Sequence, residues 1–494
     1  MSGHESVGRR LEEIRRGPVG PKIAAIFDFD GTLIDGYSAL ALYSHRFRNG
    51  ELGPAELVRT ILRMRGPTPT EDQFVALVED GLRSWTGRTT ADILALGERL
   101  FREGLAGDLF HDAWRLVRAH QGAGHTVVIA TSATQMQVAP LARELTVEHV
   151  LCTRLAERRG VLTGKVDGRT LWGAGKLAAV REFAAGRGLD LSAAHVYANG
   201  NEDVALLAAV GHPHPVNPQP ELAEAAEHHG WEVLTFSSGK PGRLDPRPAL
   251  RTVTMFGTLV GAAGVGVAVG LLNRSRRTGA DVTVSIFDAL ASPLTDIRVS
   301  VVGEQHAWAA RPAVFFINHQ SAMVDFLVTA RVIRTGFTAV AKAELKRAPV
   351  VGQLLDLAGT AFLEREDRAK AIDGLRAAVE TLRRGTSVVI APEGTRSLTP
   401  TVGPFKKGGF HLAARAGVPI VPIVIRNAGE IMWRDSRTAR AGEVQVAVLP
   451  PIPTIGWNKA DIDEQVVLMR QRYLDTLDDW PVPAAAGTTD TDSI

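Results

Sequence analysis

His319 and Asp325 lie six positions apart, the histidine inside Asn318-His319-Gln320-Ser321, and Pro392-Glu393-Gly394-Thr395-Arg396-Ser397 follows some seventy residues on. Histidine, with an ordinary pKa near ~6.5, is the natural base at neutral pH. A carboxylate on its other nitrogen holds the tautomer and stabilises the imidazolium that forms. Arginine grips phosphate with two parallel hydrogen bonds, and glycine lets the backbone come close. Gly359 to Arg365 supplies a further arginine, and Phe405-Lys406-Lys407-Gly408 more positive charge. Together these residues imply group transfer to the hydroxyl of a phosphorylated alcohol. No activated serine or cysteine stands near by motif, so direct transfer without an acyl-enzyme is expected.

A chemically different set lies near the start, in Asp28-Phe29-Asp30-Gly31-Thr32. Asp28 is placed to attack a phosphate, as carboxylates do in aspartyl-phosphate chemistry. Asp30 would protonate the leaving oxygen and later activate water, and Gly31 permits the turn. Thr131 would bind phosphate oxygens, and Lys176 would neutralise the charge that builds up. Mg²⁺, a hard ion that seeks oxygen, would bridge carboxylate and phosphate.

Strands must deliver both sets. Lys22–Phe27, His125–Ala130 and His195–Ala198 are short apolar runs that end at Asp28, Thr131 and Asn199. In a parallel α/β sheet, ligands sit at the carboxyl ends of strands, so these three tips should converge. Ala313–Ile317 reads as a strand delivering Asn318-His319, and Phe326–Ala330 as helix. Val388–Ala391 is a strand ending at Pro392, and Val418–Ile423 a final apolar strand.

Between the two halves the composition changes. Met255–Leu272 is uncharged and glycine-rich, with arginines on both flanks. As a helix it would be ~27 Å long, just enough to cross a thin bilayer. Three readings stand: a transmembrane helix, a segment lying in one leaflet with its arginines on anionic headgroups, or a buried soluble helix. Gly257-x-x-x-Gly261 would let another helix approach closely. Gly264-x-Gly266-x-x-x-Gly270 lacks the strand and spacing of a dinucleotide fingerprint.

At 494 residues, two or three domains are expected. A net charge of +2 points to no nucleic-acid partner. The single cysteine, Cys152, allows no intrachain disulfide and no cysteine-built zinc site. Residues 1–20 are polar, without a secretory h-region, and are expected to be disordered, as is 481–494. The expected boundaries are 21–240, a basic linker and membrane segment at 241–280, and 281–480.

The N-terminal motifs resemble the haloacid-dehalogenase hydrolase superfamily, in its phosphoserine-phosphatase-like branch. Asp28-x-Asp30-Gly-Thr fits the nucleophile motif, Thr131 the second and Lys176 the third, and the helical stretch at about 37–118 fits the cap. The resemblance implies a Rossmann-like parallel sheet and magnesium held by Asp28, Asp30, Asn199 and Asp203. The fourth motif departs from the pattern, since its first acid is here Asn199. That leaves open an active phosphatase or an inactive, regulatory domain. The C-terminal motifs resemble the glycerophospholipid acyltransferases acting on 1-acylglycerol 3-phosphate. The matching blocks are Asn318–Asp325, Gly359–Arg365, Pro392–Ser397 and Val418–Pro422. This implies that His319 is the general base, that Asp325 orients it, and that Arg365, Glu393, Gly394, Thr395 and Arg396 hold the glycerol phosphate. Five residues separate His319 from Asp325, one more than the family pattern.

The expectation is thus an α/β protein of two enzymes joined by a membrane-associated helix. One half would convert a lysophospholipid and an acyl-CoA or acyl-carrier-protein thioester into phosphatidic acid. The other would be a Mg²⁺-dependent phosphatase. The protein would lie at the cell membrane, on anionic lipids, with both domains facing the cytoplasm. A non-enzymatic lipid-binding scaffold is the alternative from another class.

Overall fold

The computed structural model describes residues 3–54, 58, 68–237, 245–342, 352, 361–363 and 368–481. The chain folds as two compact units, 1–240 and 241–494.

In the first unit, β1 (Ala24–Phe27) is buried at every position, as a central parallel strand must be. β2 (Thr126–Thr134), β3 (His149–Thr153), β6 (His195–Ala198) and β7 (His212–Pro215) complete a parallel sheet of order β3-β2-β1-β6-β7. The three strands expected to converge are therefore neighbours. Residues 3–16 differ from the expectation of disorder: they form helix α1 (Gly3–Arg16), packed on α5 (His111–Gly122). Its polar composition hides an apolar stripe, Val7, Leu11 and Ile14, all buried at helical spacing. An ion pair from Arg10 to Glu232 at 2.8 Å adds to it.

Helices α2 (Ser38–Arg48), α3 (Glu71–Leu82) and α4 (Thr90–Glu103) lie between β1 and α5. A hairpin of β4 (Leu155–Arg158) and β5 (Val161–Val166), from beyond the expected cap, packs against α3. α5 itself, partly inside the expected cap range, lies against β2 and α1. Further on come α6 (Gln135–Glu144), α7 (Ala174–Arg187) and α8 (Pro220–His229).

At the amino ends of these strands, opposite Asp28, sits a histidine cluster that the sequence reading did not single out. The His125 Nε2–H donates to the Pro18 carbonyl at 2.9 Å. Its Nδ1 therefore accepts from His120 Nδ1–H at 2.8 Å, which leaves His120 Nε2 to accept from the Tyr197 hydroxyl at 2.9 Å. His195 and His214 are joined at 3.0 Å. Burial, then neighbouring imidazoles and Arg10, push His195 down to about 3 and His120 well below the usual range. A lowered folded-state pKa gives stability that is present above ~6.5 and lost as pH falls toward the folded value. The stability of β6 relative to a His195→Gln variant should thus fall by about 1.4 kcal/mol per pH unit below 6.5. Amide exchange of β6 at pH 7 and 4.5 reads it directly; parallel curves for the two proteins would rule it out.

The second unit opens with two helices, α9 (Arg247–Leu272) and α10 (Arg276–Thr295), which form a hairpin. The helix is thus longer than the uncharged stretch 255–272, reaching back over Arg247 and Arg251. The expected boundary at 280 falls inside α10, so the hairpin is part of this unit. The close approach is not at Gly257 and Gly261, where an added Cβ would meet nothing. It lies between Gly266, Gly270 and Gly279: a Cβ on Gly266 would come within 2.4 Å of the Gly279 carbonyl. That contact accounts for Gly266 and Gly270 of the false dinucleotide pattern, whereas a Cβ on Gly264 would meet nothing.

Seven strands follow: β8 (Ile297–Val302), β9 (Val314–Ile317), β10 (Phe337–Lys342), β11 (Ala361–Leu363), β12 (Ser387–Ile390), β13 (Ile420–Ile425) and β14 (Gly442–Val448). Their order is β11-β10-β12-β9-β13-β14-β8, parallel except where β14 meets β13. Alternation along β9 serves two cores. Phe315 and Ile317 pack with Phe287, Val324 and Leu327 of α10 and α11 (Ala322–Ile333). Val314 and Phe316 pack on the other face. Helices α12 (Arg368–Arg383), α13 (Gly408–Ala416) and α14 (Lys459–Asp478) supply that layer. The tail at 482–494 lies outside the described residues.

Candidate active sites

In the first unit, β1 delivers Asp28, β2 carries Thr131 and β6 ends at Asn199. Lys176, in the first turn of α7, is buried between two carboxylates. It lies 3.1 Å from Asp28 Oδ1 and 2.7 Å from Asp203 Oδ1. Burial works against its charge, but Asp203 and Asp28 outweigh burial and hold its pKa above the ordinary lysine value. One ammonium cannot neutralise the whole set, so burial raises Asp203, with Asp28 and Glu202 adding to it. Asp30 is pushed up to about 7, chiefly by burial. Its oxygens accept from the Ser38 backbone N–H at 2.7 Å and the Ser38 hydroxyl at 3.1 Å. Gln137 donates to that hydroxyl at 2.8 Å, which fixes the arrangement. Thr131 is fully buried, and its hydroxyl accepts from the Ala133 N–H at 3.1 Å.

Among the described residues, no three His, Cys, Asp or Glu side chains form a ready-made metal cage. Asn199 accepts from Thr32 at 3.3 Å, and Asp203 faces Lys176. Mg²⁺ does not require such a cage, because it usually keeps waters and takes one or two carboxylates. The surplus of buried carboxylate over ammonium suits a divalent cation. Glu202, which the sequence reading passed over, shares in that surplus: its carboxyl is raised by burial, and it feels both Lys176 and Asp28. Its position one residue before Asp203 was the available signal.

In the second unit, β9 lies between β12 and β13, and the carboxyl ends of all three meet. His319 Nδ1–H donates to Asp325 Oδ2 at 2.7 Å. The same oxygen accepts from the N–H groups of Gln320 and Ser321, each at 3.1 Å. The additional residue between the pair costs no geometry, because His319 precedes the helix. Ser321 is the extended N-cap of α11, and Asp325, in the first turn, folds back over the entering loop. Burial raises the Asp325 carboxyl, and the bonds to His319 and the loop oppose this. The His319 side chain is 27% exposed, and Nε2 is left to take a proton.

Neighbouring side chains lock this loop. Asn318 donates to the Ile425 carbonyl and accepts from the Ile425 N–H, both at 2.7 Å. Gln320 donates to the Ile425 carbonyl at 3.1 Å and accepts from the Gly429 N–H at 2.9 Å.

Glu393 ties two loops together. Its buried carboxylate is engaged by the His319 N–H at 2.7 Å, and by the Ser397 hydroxyl and Gly403 N–H at 2.8 Å each. It fastens the Gly394 turn to the histidine loop. Gly394 turns at φ +76°, open to glycine at no steric cost. Thr395 is exposed at the tip, and Arg396 is partly exposed beside it. Arg365 lies outside the described residues.

Fold and sites define a two-unit α/β protein, with a carboxylate–lysine cluster in one unit and a hydrogen-bonded His–Asp pair in the other. Residues 25–208 match the haloacid dehalogenase-like hydrolase family and 298–426 the Acyltransferase family. The 1-acyl-sn-glycerol-3-phosphate acyltransferase of Saccharomyces cerevisiae is 34% identical over 234 residues, 46% of this chain and 77% of that protein. The inhibition of morphological differentiation protein of Streptomyces azureus is 30% identical over 272 residues, 52% of this chain and 95% of that protein. The solved 1-acyl-sn-glycerophosphate acyltransferase PlsC of Thermotoga maritima is 24% identical (TM-score 0.41), covering 48% of this chain and 98% of that one. The chain belongs to the 1-acyl-sn-glycerol-3-phosphate acyltransferase family through its C-terminal half and carries an N-terminal haloacid dehalogenase-like domain.

Proposed function

We propose that the second unit transfers an acyl chain from an acyl-CoA or acyl-carrier-protein thioester to 1-acyl-sn-glycerol 3-phosphate, giving phosphatidic acid. The 2.7 Å bond between His319 and Asp325 carries this reading. His319 Nε2 takes the proton of the glycerol hydroxyl as the oxygen attacks the thioester carbonyl. Asp325 stabilises the imidazolium. The tetrahedral adduct collapses, the C–S bond breaks, and the thiolate takes the proton back from His319. Arg396 and the Gly394 turn hold the phosphate, with Arg365 assigned by resemblance. Phosphatidate formation from lysophosphatidic acid and oleoyl-CoA by the purified chain tests it; no product with either donor type would leave the lipid-binding scaffold.

For the first unit the reading is phosphate-ester hydrolysis. Asp28 attacks phosphorus, Asp30 protonates the departing alkoxide, and the aspartyl phosphate is then cleaved by water that Asp30 deprotonates. Thr131 and Lys176 bind the phosphoryl oxygens. Asp28 and Asp203, with Asn199, Asp30 and Glu202 around them, are the residues that would hold Mg²⁺. Bound there, the ion would supply positive charge against the phosphoryl group. Asn199 favours the inert alternative, and the half-buried Glu202 beside Asp203 weighs against it.

A membrane surface completes the reading. Leu250, Val253, Val260, Leu271 and Leu272 are exposed along α9, and Arg247, Arg274, Arg276 and Arg277 flank its ends. An apolar face with basic ends suits a helix lying in the interface of the cell membrane, with both units cytoplasmic. The Val253→Asp/Val260→Asp double variant should lose about tenfold or more in binding to anionic vesicles, judged by cosedimentation. Undiminished binding would discard α9 as the anchor.

A further inference from the structure

The arginine at the end of the phosphate turn has a second arginine beside it, in a segment that no motif selected. Arg434 Nη1–H donates to the Arg396 carbonyl at 2.9 Å, and the Arg396 guanidinium donates to the Arg434 carbonyl. Between them sits Asp435. Its Oδ1 lies 3.4 Å from Arg396 Nη2, and its Oδ2 lies 3.0 Å from Arg434 Nε. The Trp433 indole N–H donates to the Leu398 carbonyl at 3.0 Å, closing the two loops on each other. The same turn reaches the base, because the Ser397 N–H donates to the His319 carbonyl at 2.7 Å.

We propose that Arg434 is a second guanidinium of the phosphate subsite, and that Asp435 is a resident anion which the substrate phosphate displaces. This rests on the reading of Arg396 as a phosphate ligand. One carboxylate spends each of its oxygens on a different arginine, which is the way a bridging anion is held. A phosphate monoester brings about −1.5 to −2 charges and three acceptor oxygens, so it is the stronger occupant of the same fork. Arg396, Arg434 and Asp435 are 32%, 25% and 42% exposed, so a ligand can reach all three and the carboxylate can swing into water. With no substrate bound, Asp435 keeps the two cations from repelling each other and holds the fork open. The cost is competition with the phosphate.

Steady-state kinetics on the full chain, varying lysophosphatidic acid and acyl donor separately, test this. Arg434→Gln should raise the KM for lysophosphatidic acid about tenfold, with much smaller effects on kcat and on the KM for the acyl donor. Arg434→Lys should recover part of the loss. Asp435→Asn should lower that KM about threefold, and inorganic phosphate should become a stronger competitive inhibitor. A raised KM in Asp435→Asn, or an Arg434→Gln effect shared equally by kcat and the acyl-donor KM, would show that the segment is only a structural clasp. If Arg396→Ala leaves the KM for lysophosphatidic acid unchanged, the phosphate reading of the turn fails first, and this proposal with it.

Discussion

Replacing His319 by alanine is expected to lower acyl transfer to lysophosphatidic acid by ~10²–10⁴-fold, the range of a lost general base. Hydrolysis of a phosphate ester by the same preparation should stay at the wild-type level, since the two sites sit in separate compact units. Asp325→Asn is the sharper variant. It keeps the shape but removes the charge that faces the imidazolium, and its amide can present N–H to a nitrogen that is itself a donor. It should approach the loss seen in His319→Ala and fold normally, because the Gln320 and Ser321 N–H groups can still find the side-chain oxygen. Full activity in His319→Ala would mean another base.

The second large effect is at Asp28. Asp28→Asn should lower hydrolysis of a generic phosphate ester by at least ~10³-fold, because the covalent route is closed. Lysophosphatidic acid acylation should continue. If wild type and Asp28→Asn hydrolyse the ester equally at saturating Mg²⁺, the first unit is inert and the Asn199 departure has decided its fate. Asp30 adds a pH signature. Its carboxyl is pushed up to about 7, and the leaving group needs the protonated form. Leaving-group departure should therefore slow as pH rises above 7, with a flat profile below. The effect is largest for esters of poor leaving groups, which depend most on the acid.

Both candidate pairs were legible as motifs because each follows an apolar strand directly. A strand that ends in Asp28 or in Asn318-His319 announces its own active-site edge, and strand order only had to make the right edges neighbours. Periodicity was less reliable where apolar residues are sparse. Val7, Leu11 and Ile14 are too few among charges to raise the composition of α1, yet they suffice to bury one face.

What the sequence determined alone was the residue types available for catalysis and the strands that carry them. A histidine, its carboxylate and an arginine turn were all present in order. Only the tertiary structure decided what they touch. Glu393 stands next to Gly394 in the expected phosphate cradle, and its carboxylate also ties that turn to the His319 loop, which adjacency in sequence cannot reveal. The spacing of Asp325 looked one residue too long, and it is absorbed because the loop before α11 is extended rather than helical. Glycines at 266, 270 and 279 gained their meaning only when α9 and α10 came together. Arg434 and Asp435 carry no motif at all. They reach Arg396 because separate loops cross above the strand ends, and hydrogen bonds over such separations are set by the fold.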